Sequence, residues 1–408
     1  MELKTKELID LDKKIYDLNQ IYGLVLFSIN EVPNISAIND ITSKIESIKE
    51  ELSSVKTDDE FETMFIENHL LNLENQRIYL QYASTRDKEN VNEIIKIFYG
   101  DETLAVLQKK LKSFDYDADW DHYLSYQNYS YRAYPADSPE LQPRFKKILE
   151  DLKEDILEYA RKHHGLSKEY NFDLVLGQPY SNQSSFRPST KRVEISPGTF
   201  YAYKEGDKIN VNVSLTIQTL FHEFIGHALQ EYNSTNMPKS LKDDSINTSV
   251  PTMSLHAEGF AQLTGKMAIE FMKEYKDKYH IKDDYIRQRE SGLKRLDIGV
   301  FWNYFQYLKL KNLEDDKFDY KDEFMKVSKN FGALTNYELS TQSPFTFFKN
   351  VCYIIGLDRM EKLYSELTKE FGEENEAIIN KALNTGLFNI KILPKFTRYY
   401  IKQNLKKK

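Results

Sequence analysis

Thr219-Leu220-Phe221-His222-Glu223-Phe224-Ile225-Gly226-His227-Ala228-Leu229-Gln230 is the stretch on which the reading of this chain turns. With its flanks, Ile217, Leu220, Phe221, Phe224, Ile225, Ala228, Leu229 and Tyr232 recur at three- and four-residue spacing, which predicts a buried helix. His222 and Glu223 fall on its polar side. The two histidines stand at i and i+5. On a regular helix of about 3.6 residues per turn, that spacing turns the side chains about 140° apart. A pair at i and i+4 would differ by only about 40°. One widened turn with i→i+5 bonding returns the pair to a common face, and such π-bulges are rare and concentrate at functional sites. Gly226, just before the second histidine, eases that distortion. The spacing therefore demands a specific local feature.

A second patch reads Ser254-Leu255-His256-Ala257-Glu258-Gly259-Phe260-Ala261-Gln262-Leu263-Thr264-Gly265, with Glu258 on a predicted helix. Two histidines and one glutamate, His222, His227 and Glu258, make a three-ligand catalytic zinc site with an open fourth position. A zinc ion there lowers the pKa of water towards about 7. Glu223, beside a ligand, is placed to accept the proton. His256 remains an alternative third ligand, or a hydrogen-bonding partner of one. Cys352 is the single cysteine, so a metal site in this chain has to come from His and carboxylates.

The 408 residues allow one large domain or two to three ordinary ones. Lys and Arg total 56 against 63 Asp and Glu, a net charge of −7, which leaves no electrostatic footprint for a nucleic-acid partner. The longest apolar runs, such as residues 23–27, are far too short for a membrane span, and the first residues lack a signal-peptide core. The expectation is a soluble, cytoplasmic protein with no membrane role, whose terminal Lys406-Lys407-Lys408 is a solvated tail. Nothing in the composition sets the oligomeric state.

With only 15 Gly and 11 Pro, the chain has room for long helices. Residues 139–162 predict one, with Phe145, Leu149, Leu152 and Ile156 on one face, Pro143 in the first turn and Gly165 as a C-terminal cap after a basic turn. His163 and His164 read as helix-end residues. Residues 171–176, 192–195, 199–204 and 209–213 predict short strands, with a hairpin over Glu205-Gly206-Asp207. Helices are expected again near 255–279, 282–311, 318–330 and 357–383. The coarse division is an N-terminal helical region, 1–165, and a zinc-binding catalytic region, 166–408, with no clear boundary between them. His69, His122 and His280 lie far from the motifs and read as structural, and Cys352 as a buried thiol.

HEFIGHALQ followed by HAEGFAQ resembles the Glu-liganded zinc metallopeptidases, the gluzincins. The pattern is most similar to a bacterial family of unknown function with PG-x-Y-Y, HExxPGHxxQ and EGWA signatures. Its counterparts here are Pro197-Gly198-Thr199-Phe200-Tyr201, His222-Glu223 with Gly226-His227-Ala228-Leu229-Gln230, and Glu258-Gly259-Phe260-Ala261. This chain is one residue shorter between the histidines and lacks the proline. Arg295-Leu296-Asp297-Ile298-Gly299 and Tyr353-Ile354-Ile355-Gly356 resemble two later stretches of that family. Tubulin tyrosine carboxypeptidases are similar in their HExxxH; carboxypeptidase Taq and the thimet-type oligopeptidases are more distant. The likeness covers roughly residues 190–360.

That resemblance implies a mostly α, gluzincin-like helical fold with a small β-sheet beside the active-site helix. It implies His222, His227 and Glu258 as zinc ligands, Glu223 as base and Tyr353 as oxyanion donor, with Tyr201 and Tyr203 as alternatives. Segment 198–203 would be the strand edge that aligns a substrate backbone. Arg295, Arg359 and Arg398 could hold a substrate carboxylate, although each reads first as a surface or structural cation. The implied activity is zinc-dependent hydrolysis of peptide bonds in short peptides or chain ends, carboxypeptidase-like, with a peptide as substrate. Two rival readings share these residues: a zinc amidohydrolase acting on a small non-peptide amide, and a non-catalytic helical binding protein whose zinc site has degenerated.

Overall fold

The computed structural model describes residues 1–28, 35–85, 93–94, 96–97, 140–178, 184–205, 207–242, 250–294 and 344–406. Helices dominate them. Three come first: α1 (Lys6–Ser28), α2 (Ile35–Ser54) and α3 (Glu60–Thr85). In α2, the buried positions Ile38, Ile41, Ile45, Ile48 and Leu52 alternate three- and four-residue steps, which makes a single apolar stripe. Helix α4 (Gln142–His164) follows, with proline in its first turn. It ends at Gly165, whose φ of 60° is the left-handed conformation that glycine adopts without penalty, and whose N–H reaches the Ala160 carbonyl.

Five short strands then appear: β1 (Asp173–Leu176), β2 (Ser185–Arg187), β3 (Arg192–Ile195), β4 (Tyr201–Glu205) and β5 (Lys208–Asn212). One sheet has the order β1-β3-β2, with β1 parallel and β2 antiparallel to β3. β4 and β5 form a separate antiparallel ribbon, paired from Tyr201 with Asn212 to Glu205 with Lys208. β2 lies outside the predicted strands, since three residues are too few for alternation to show.

The expected site helix runs as α5 (Ser214–Leu220), a π-helical segment (Phe221–Ala228) and α6 (Leu229–Asn233). Helices α7 (Pro251–Glu274), α8 (Asp283–Lys294), α9 (Pro344–Phe371), α10 (Glu376–Leu383) and α11 (Leu393–Leu405) complete the described chain. The expectation of one helix over 357–383 needs correction. Gly372, at φ 88°, stops α9, and α10 starts afresh four residues on. The predicted helix 318–330 and the second half of 282–311 lie outside the described residues.

Two apolar cores share α7. Its Met253, Leu255, Ala257, Phe260 and Leu263 join α1–α3, α9 and the C-terminal helices. Its Ala268, Phe271 and Met272 join α4, the β-strands and the site helix. Among the described residues, no helix is long and apolar enough to cross a membrane.

Two histidines in these cores carry a stability prediction. Burial holds His69 down to about 3, and burial together with the neighbouring His163 charge holds His164 down to about 3. An unfolded histidine titrates near 6.5. Below that pH the unfolded chain takes up protons that the folded chain refuses, so stability is complete above about 6.5 and falls as pH drops towards about 3. Each histidine contributes a slope of up to about 1.4 kcal/mol per pH unit. Urea midpoints should therefore fall between about pH 6.5 and 5, a range above ordinary carboxylate titration. Replacing both residues with Gln should lessen that slope, the remainder coming from buried His256, which burial holds down to about 4, and an unchanged slope would refute the assignment.

Candidate metal centre

The π segment delivers what the i+5 spacing requires. His222 and His227 sit on one side of the helix, with ring centroids 5.1 Å apart and ring planes at 80°. Glu258 on α7 faces both: its Oε2 lies 3.6 Å from His222 Nε2 and 3.6 Å from His227 Nε2. One ligand atom from each of the three residues falls within 4.8 Å of the others. The edge of a tetrahedron around an ion with bonds of about 2.1 Å is about 3.4 Å, so the observed spacing fits a single small cation. All three side chains are partly exposed, which leaves a way in. A His/His/Glu cluster able to hold a metal ion is thus present among the described residues.

Main-chain contact sets this spacing. A Cβ on Gly226 would lie 2.6 Å from Ala261 Cβ, so the π segment rests directly on α7. One residue after Glu258, a Cβ on Gly259 would lie 2.5 Å from the Gly356 carbonyl carbon on α9. Glycine is required where backbones approach so closely. The Glu-Gly-Phe-Ala motif therefore holds one member of the cluster, one helix–helix contact on each side of α7, and Phe260 in the core.

Widening the helix changes which carbonyls find partners, and buried carbonyls need them. Thr264 Oγ1 donates to the Phe221 carbonyl at 2.9 Å, and Asn384 Nδ2 to the Ile225 carbonyl at 2.9 Å. Both donors are buried and come from outside the helix. We expect Asn384→Leu, which leaves the Ile225 carbonyl unpaired, to cost about 1–3 kcal/mol of stability. By slackening the π turn it should also weaken divalent-metal affinity by about tenfold, the lower end for residues that orient ligands. Competition titration against a chromogenic chelator measures this. Wild-type affinity in the variant would show that the π geometry does not depend on Asn384.

Glu223 stands next to His222 on the π segment, outside the three-residue cluster. Its Oε2 accepts a hydrogen bond from the Phe186 N–H of β2 at 2.9 Å. Tyr353 on α9 has its ring centroid 6.3 Å from that of His222 and hydrogen-bonds Glu258. Burial, followed by the Glu258, Cys352 and Glu223 side chains, pushes its hydroxyl well above the usual tyrosine value, so it stays protonated and neutral. The Gln262 amide lies 3.5 Å from His222 Nδ1, the ring atom left over when Nε2 faces Glu258. A partner at that position fixes ring orientation. Gln262 went unremarked in the sequence, although it stands one helical turn after Glu258.

The other described residues singled out in the sequence stand apart from the cluster. His256 does not join the cluster: it is buried, with Nε2 2.8 Å from the Leu383 carbonyl and Nδ1 accepting from the Phe388 N–H at 3.1 Å. It ties α7 to the segment after α10. The strand contacting the π segment beside Glu223 is β2, whereas segment 198–203 leads into the β4–β5 ribbon and packs on α5 through Thr199 and Thr216. Tyr203 packs near Tyr285 and Lys282. The Tyr201 side chain lies outside the described residues, as do Arg295 and His122. Arg398 is engaged by Glu366 and Glu370. Arg359 lies on α9, beyond Tyr353. His163 caps its helix end by pairing with Glu376 at 3.0 Å, and Cys352 is buried and unbridged.

No protein-family model matches the chain, and no curated protein does. Among solved structures it is similar to one described as "putative lipoprotein from Colwellia psychrerythraea", at a TM-score of 0.42 and 11% identity, covering 98% of this chain and 77% of that one. A likeness of that size carries no argument about fold or function.

Proposed function

We propose that the protein is a gluzincin-like zinc metallopeptidase that hydrolyses peptide bonds in short peptides or at chain ends, in the manner of a carboxypeptidase. The observation that supports this reading is the convergence of His222, His227 and Glu258 across a π-helical turn, with Glu223 and Tyr353 at its rim. Zinc is the divalent ion that a two-histidine, one-carboxylate set of this spacing suits, and it would polarise a peptide carbonyl and acidify water.

The remaining chemistry belongs to the chain. Glu223 takes the proton from the attacking water and returns it to the leaving amine, as a general base and then a general acid. The Phe186 N–H holds one carboxylate oxygen of Glu223 and so fixes its direction. The neutral Tyr353 hydroxyl turns from Glu258 to the oxygen on which negative charge develops, where a preorganised donor lowers the barrier. The outer edge of β2, beside Glu223, offers main-chain groups to an extended peptide.

The test combines metal analysis with a peptide-library digest read by mass spectrometry. Protein purified without added zinc should carry one zinc per chain, lost in His222→Ala, and should trim peptides at defined positions. Metal-free protein that ignores chelators would favour the binding-protein reading. Zinc-loaded protein that leaves every peptide intact but cleaves small acylated amides would favour the amidohydrolase.

A further inference from the structure

Behind the site helix, a cavity of about 340 Å³ opens between the residues after α6, α10 and α11. Met1, Asn236, Met237, Lys381, Tyr399 and Tyr400 are among the residues that line it. Its volume is at the lower end for small-molecule sites, about 300–1,000 Å³. No carboxylate lines it.

Lys381 is the unusual member. It is half-buried, and among the described residues no acidic group lies within ion-pair distance of its ammonium. Other partly buried cations do have counter-charges, as in Lys49 and Arg77, both paired with Glu74. Burial alone pushes the Lys381 pKa down, with no neighbouring charge to restore it. A cation withdrawn from water without a counter-ion is costly. Around it are amide and hydroxyl groups able to donate hydrogen bonds, together with apolar surface from Met237 and two tyrosine rings. A phosphate dianion calls for several cations or a row of converging N–H groups; besides Lys381 the lining offers only the Met1 amino group, which already donates to the Asn236 carbonyl at 3.1 Å. A monocarboxylate calls for one cation.

We infer that this cavity binds a small organic carboxylate, its charge against the Lys381 ammonium and its apolar body between Met237 and the tyrosine rings. The inference is independent of the metal centre. Titration calorimetry and thermal-shift measurements with benzoate and hexanoate test it, with benzamide and inorganic phosphate as controls. Both carboxylates should bind and raise the melting temperature, and benzamide should not. Binding should survive in His222→Ala, which separates this cavity from a carboxylate captured at the metal. It should be lost in Lys381→Met, which should melt no lower than wild type without ligand because it removes an uncompensated charge. Lys381→Gln serves as a second variant if the Met form fails to fold. Absence of carboxylate binding, preference for phosphate, binding undiminished without Lys381, or loss of binding in His222→Ala would each overturn the assignment.

Discussion

Glu223→Gln should leave zinc content and melting temperature near wild type while slowing peptide hydrolysis by about 10²–10⁴-fold, the range for removing a general base. The substitution is nearly isosteric. The Gln carbonyl oxygen can still accept the Phe186 N–H, so the rim of the site keeps its shape. Glu223 lies outside the His222, His227 and Glu258 cluster, so the metal has no reason to leave. Only the capacity to take up a proton disappears. Steady-state kinetics on the best peptide from the library, normalised to zinc content, gives the ratio. A variant as fast as wild type would show that the base is another group. Loss of both zinc and activity would show that Glu223 belongs to the metal shell.

The second large effect is on stability. Gly259→Ala sets a methyl group 2.5 Å from the Gly356 carbonyl carbon and 2.6 Å from its oxygen. Those are backbone atoms of α9, which cannot rotate aside as a side chain can. Overpacking typically costs about 1–3 kcal/mol, and a clash against main chain belongs at the top of that range or above it. Gly356→Ala meets the Leu255 carbonyl at 2.5 Å and should behave alike. Because Glu258 and Tyr353 flank this contact, the same shift should separate them and lower activity even in molecules that remain folded. Denaturant titration of both variants checks the prediction. If Gly259→Ala unfolds together with wild type, α7 and α9 do not touch as described.

The site was legible where its geometry left a mark on local spacing. The i+5 histidines with Gly226 between them announced a π turn, and Glu-Gly-Phe-Ala announced the third member of the cluster, because clustered side chains and close helix contacts each restrict residue type at fixed offsets. Tyr353 came from family likeness alone. What stayed hidden comes from elsewhere in the chain. Asn384, which holds the Ile225 carbonyl, lies 159 positions away in a segment without a motif. Phe186 contributes through its backbone, which side-chain chemistry does not announce. The break at Gly372 was written in Phe371-Gly372 but masked by apolar periodicity that resumes in α10. Segment 198–203 as a strand edge came from family likeness, whereas β2, which reaches Glu223, is only three residues long and leaves no alternation to read.

Around the cluster, three helices meet through Gly226, Ala261, Gly259 and Gly356 rather than through large side chains. Where backbones abut, the gap between helices depends on four small residues and hardly at all on which aliphatics fill the surrounding core. Leu, Ile, Met and Phe there are free to drift over generations while the ligand separation holds. Two descendants of one ancestor could thus retain the same cluster geometry and share little recognisable sequence beyond a handful of glycines, alanines and the three cluster residues.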